Sequence, residues 1–194
     1  MVSNLVLDAA RSRVTVHTFA EGLLARLAHD LEIVCGGLEG SAATAGSADD
    51  VATKGSARVE APLRAMAVGG VLGKGGGVDE RALSPNERRD ILAKMQSDVF
   101  HAGNDAVVRV ETHVDGAAAR VRVIPPNGKA VETVVRPEVR ADGAGIRATG
   151  SFELSLAAIG SEVVKGPMGA FRVKDRVRVS FDVVFVPRTL PDAP

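Results

Sequence analysis

The chain has 194 residues, enough for one domain that buries a core without disulfides or metals. Its single cysteine, Cys35, excludes an intrachain disulfide, and 24 basic against 24 acidic residues leave no electrostatic footprint for nucleic acid. Trp and Tyr are absent and Phe is limited to six, which removes base-stacking platforms.

The N-terminus has no basic start and no apolar run of signal length. No stretch approaches the roughly 20 apolar residues that cross a bilayer. The expectation is a soluble, cytoplasmic protein with no membrane span.

Along the chain the dominant pattern is alternation with period two, the mark of strands with one dry and one wet face. Val14 and Val16 alternate with Arg13, Thr15 and His17. Residues 21–28, with Leu23, Leu24 and Leu27, read as one or two helical turns. Leu31 to Ala43 is strand-like. Ala57, Val59, Ala61 and Leu63 alternate with Arg58, Glu60 and Arg64. Residues 66–82 are glycine-rich and read as a loop.

Ser84-Pro85-Asn86-Glu87 then opens a helix, with an N-cap, a proline at N1 and a glutamate at N3. Ile91, Leu92, Met95 and Val99 follow at helical spacing. Asp90 and Lys94 form an i,i+4 pair in that reading, and the helix ends near Ser97. Beyond it, Val108 to Val114, Val121 to Val123 and Phe152 to Leu156 alternate again, and Ala130 to Val139 is strand-like. Val177, Val179, Phe181, Val183 and Phe185 give the longest dry face. Asp115-Gly116, Asn127-Gly128 and Ala141-Asp142-Gly143 supply hairpin turns that need positive φ.

Eight or nine short strands joined by hairpins predict a mainly β fold, an antiparallel lipocalin-like β-barrel of about eight strands with one or two helices. A two-sheet sandwich is the alternative. Residues 1–187 form a single domain and 188–194 a flexible tail.

Chemistry-bearing motifs are sparse. The run Gly69 to Gly77 lacks the glycine at position 68 and the Ser or Thr at position 75 that a phosphate loop needs. His29-Asp30 invites a general-base reading, but adjacent strand residues point to opposite faces, so a helix-to-strand junction with Asp30 as a turn or cap residue fits better. His17, His101 and His113 have no metal-ligand spacing, and no metal or cofactor is predicted. His17 and His113 lie on polar strand faces and are expected to be solvated. Cys35 reads as a small buried hydrophobe.

The order of elements resembles the YceI-like family. The resemblance is carried by Leu7-Asp8, Ser12-Arg13-Val14, the leucine-rich element before His29-Asp30-Leu31, the strand Gly55 to Leu63, and Ser97-Asp98-Val99-Phe100. Gly150-Ser-Phe-Glu-Leu-Ser155, Ile159-Gly160 and the closing strand Asp175 to Phe185 complete it. It implies a barrel that binds a long apolar molecule such as an isoprenoid or a fatty-acyl chain. The sequence departs where Ala157-Ala158-Ile159 stands in place of a serine, an acid and an aromatic, and in lacking a secretory segment.

These readings predict a non-enzymatic carrier of an apolar small molecule. Its candidate lining residues are Phe19, Leu24, Leu27, His29, Met66, Phe100, Phe152, Met168, Phe171 and Phe181. Residues 165–175, with Met168 and Phe171, either fold over the barrel mouth or plug its end. The other readings are a barrel hydrolase or isomerase using His29, and a structural module with a filled interior. Free barrel edges also allow a homodimer.

Overall fold

A computed structural model describes residues 2–22, 29–45, 54–166 and 171–188. Its strands are β1 (Val2–Leu7), β2 (Arg13–Thr18), β3 (Ala20–Glu21), β4 (Leu31–Cys35), β5 (Glu39–Ala45), β6 (Lys54–Pro62), β7 (Met66–Leu72) and β8 (Val78–Asp79). After the helix α1 (Pro85–Lys94) come β9 (Val107–Asp115), β10 (Ala118–Ile124), β11 (Val131–Val135), β12 (Glu138–Asp142), β13 (Gly145–Ser155), β14 (Arg172–Val173) and β15 (Arg176–Pro187). All but β3 and β14 belong to one curled antiparallel sheet. Leucines 24 and 27 and Met168 lie outside the described residues.

Several strands are halves of one long pass through the wall. β1 and β2 pair in succession with the same edge of β15, on either side of a tight turn at Ala9–Arg11. Asp8 makes that turn by accepting from the backbone N–H groups of Ala10 and Arg11. β4 and β5 bend at Gly36-Gly37, where Gly37 has φ +60° and the N–H of Gly36 donates to the carbonyl of Ala65. β6 and β7 bend at the Leu63–Ala65 turn. β11 and β12 are joined by Arg136 and Pro137 with no turn or bend. Val135, Pro137 and Val139 all face inward, so the alternation runs unbroken through the join. Counted as passes, the described wall has eight, consistent with a lipocalin-like barrel.

The three predicted hairpin glycines adopt positive φ: +65° at Gly116, +78° at Gly128 and +60° at Gly143. The capping box is formed, with Ser84 and Glu87 exchanging hydrogen bonds. The helix outlasts its expected end. A wider turn, Met95–Phe100, continues it until His101 enters the left-handed region at φ +49°. Lys94 bonds Asp98 at 2.9 Å, downstream of it, and not Asp90.

The loop expected over 66–82 is corrected in part, because Met66–Leu72 is strand β7 and Val78–Asp79 is β8. Its glycines serve close approach. A Cβ on Gly69 would sit 2.8 Å from Oε1 of Glu32, and one on Gly70 would sit 2.5 Å from the carbonyl of Asp79. Only Gly73 to Gly77 forms the tight turn between the two strands.

Two apolar clusters fill the interior unequally. The larger gathers Ile33, Cys35, Leu63, Met66, Val68, Val99, Phe100, Ile159 and Val177, with Ile91, Leu92 and Met95 of the helical segment packed against it. The smaller holds Leu5, Ala42, Ile146, Val183 and Phe185 at the opposite end of β15.

Candidate functional site

A cavity of about 160 Å³ lies inside the wall, between the two clusters. Its size follows from the side chains that point inward there. Ala42, Ala57, Ala119, Ala148 and Gly55 are too small to meet across the barrel. The larger lining groups are Leu38, Phe152, Phe181 and Phe185. Gly150 makes room for one of them, since a Cβ there would lie 2.7 Å from Cζ of Phe181. The Phe152 and Phe181 rings face each other with centroids 6.5 Å apart and planes tilted by 49°. Among the described residues the lining carries no Asp, Glu, His, Lys or Arg, and its polar groups are Thr44, Thr112 and Ser56.

This arrangement offers dispersion contact and dehydration of an apolar guest. Lined by apolar side chains, a void of this size resembles engineered cavities of about 150 Å³ that stay dry and admit benzene or xenon. It is smaller than typical ligand pockets of about 300 Å³ and above.

Of the candidate lining residues, the structure brings Phe152 and Phe181 together at the cavity. Met66 and Phe100 are buried in the packed cluster beyond it. Phe19 and Phe171 are half-buried near the ribbon formed by β3 and β14. There Arg172 donates to Glu21 at 2.6 Å and Lys174 stands 5.9 Å over the Phe19 ring. Phe171 packs on Gly166, where any Cβ would clash with the ring. His29 is exposed, while the Asp30 carboxylate accepts from the N–H of Ala20 at 2.8 Å and so ties β3 to the start of β4. Sequence reasoning missed Val121, Val135, Ala148 and Val179, although each lies on the dry parity of its own strand. The signal was present, but aromatic and methionine residues drew the selection.

The titratable groups outside the cavity are held by local partners. Burial pushes the Cys35 thiol up to about 11, which keeps it protonated and unreactive. Glu32 is buried and accepts from Arg13 at 2.8 Å, with Nε2 of His17 3.2 Å away. His17 is therefore partnered and half-buried, unlike the exposed His113. The Arg147 guanidinium beside Asp182 holds that carboxyl below its ordinary range. Among the described residues no group of three or more His, Cys, Asp or Glu could hold a metal. A wider depression of about 550 Å³ lies between β1, β5, β6 and β9. Its charged lining includes Arg58 and Glu111, which are already paired with Glu60 and Arg122.

Among the described residues no helix is long and apolar enough to cross a membrane. No family model matches the sequence, and no curated protein matches it. Among solved structures the chain is similar to BcnA of Burkholderia cenocepacia, with a TM-score of 0.61 at 16% identity. The likeness covers 92% of this chain and 98% of that one, and it shows a shared fold.

Proposed function

We propose that this chain is a non-enzymatic carrier that holds an apolar small molecule inside its barrel, with a long isoprenoid or fatty-acyl chain as the natural guest. The observation that supports it is the uncharged, largely apolar lining of the cavity. The YceI-like arrangement of elements and the barrel shared with BcnA agree with it.

Magnitude narrows the proposal. A compact guest that buries ~150 Å² of apolar surface gains roughly 4 kcal/mol at ~25 cal/mol per Å², before association costs. That corresponds to about millimolar affinity at best. A useful carrier needs about twice that contact, which a long chain supplies only if the barrel gains volume beyond the 160 Å³ of this conformation. The guest therefore seats an apolar tail between Phe152 and Phe181, with the rest of the molecule reaching along the interior.

Native mass spectrometry on protein purified from its own host, followed by lipid extraction, tests this. A co-purifying long-chain lipid is expected. Absence of any lipid, together with no fluorescence gain from N-phenyl-1-naphthylamine, contradicts the carrier reading.

A further inference from the structure

Among the described residues, the barrel wall has a stretch between β11 and β13 without a ladder. β13 pairs with β15 along Ile146 to Ser155, but its other edge pairs with β12 only from Gly145 to Thr149. β11 pairs with β10 on one edge. Among the described residues, the other edge of β11 and the 150–155 edge of β13 have no ladder partner. The two strands are nevertheless neighbours, with some of their Cα atoms within 8 Å. They frame a slit of about 20 Å, from six residues at about 3.3 Å each.

The slit is closed at both ends. At one end the β12–β13 ladder begins with Glu138 opposite Thr149. At the other, Nδ2 of Asn127 donates to the carbonyl of Ile159 at 2.9 Å. Its inner lips are Val135 on β11 and Phe152 on β13, both lining the cavity. Along the rest of the described wall, parting two neighbouring strands breaks ladder hydrogen bonds. Among the described residues, parting β11 from β13 breaks none, and Val135 and Phe152 are apolar at its inner side. Pro137, which has no N–H, stands where the strand passes from pairing with β10 to pairing with β13.

We propose that the slit between β11 and the second half of β13 is the portal through which an apolar ligand reaches the cavity. The inference rests on the carrier reading above and adds the route. The rival route is the barrel end near Thr44, Gly55 and Val114, which also touch the cavity.

The test places cysteines at two exposed outer-face positions, Val134→Cys on β11 and Glu153→Cys on β13, and tethers them with a short bis-maleimide. Cys35 is buried and does not compete. Stopped-flow binding of N-phenyl-1-naphthylamine is then compared before and after tethering of the same variant. The association rate is expected to fall at least tenfold, with dissociation slowing alongside it. The same tether between Arg58→Cys and Glu111→Cys, which are register partners across the intact β6–β9 ladder, leaves both rates unchanged. Asn127→Ala, which frees one end of the slit, speeds both rates several-fold. An association rate unaltered by the seam tether overturns the portal. Absence of probe binding by the untethered parent contradicts the carrier reading, and so the two failures are distinguishable.

Discussion

The two ends of the barrel are built from the same strands and behave as different materials. Under the helix, Leu63, Ile159 and Val177 are at most 2% exposed, and large side chains from the wall, the helical segment and the 156–160 turn interlock. Toward the other end, inward positions of the same wall carry alanine and glycine, and about 160 Å³ stays empty. The difference teaches that period-two alternation decides which face is dry, while side-chain volume at the dry positions decides whether that space is solid. Stability is concentrated at one end and capacity at the other.

The sharpest way to break this contrast is truncation at the packed end. Leu63→Ala is expected to cost about 2–5 kcal/mol, read from urea unfolding, because its interlocked neighbours cannot collapse into the gap. A loss under about 1 kcal/mol would show that this end is not close-packed.

Enlargement gives the complementary test. Cys35→Leu adds volume to the packed cluster and is expected to cost about 1–3 kcal/mol. Ala148→Leu adds similar volume beside the void and is expected to change stability by less than about 0.5 kcal/mol or to raise it. Equal penalties at the two sites would erase the distinction.

The helical cover contributes less. Ser84→Ala removes the capping box and is expected to lower stability by about 1 kcal/mol, with helix signal lost at lower temperature.

The smallest effect concerns the outer wall and its response to acid. Asp182 is held as a carboxylate by Arg147, so its folded pKa lies below the unfolded value of about 3.9. The stability it contributes is full above that unfolded value and is lost as pH falls through the folded one. Melting temperature against pH is therefore expected to drop less steeply below about pH 4 in Asp182→Asn than in the parent. Parallel curves would remove this pair from the acid response, leaving Glu60, Glu87, Asp98 and Asp175, whose values are also lowered.

Much of the fold was legible because local chemistry and global position agree. The β15 alternation, the three turn glycines and the Ser84 to Glu87 cap act over a few residues, and nothing distant overrides them. Residues 66–72 were not legible as a strand. Their glycines answer to Glu32 and Asp79, which reach them only through the fold. The site was legible in parity but not in volume. Phe152 and Phe181 were found by size, whereas the alanines that create the space look ordinary one at a time. Met66, on the dry face of β7, and Phe100, at the end of the helical segment, are equally apolar but belong to the packed cluster.

The central claim, that one end of the interior is hollow and receptive to apolar guests, is tested most directly by a crystal structure under xenon pressure. The account predicts xenon between Phe152, Phe181 and Val121, with none in the cluster around Leu63 and Ile159. Xenon absent from the former, or bound equally in the latter, would contradict it.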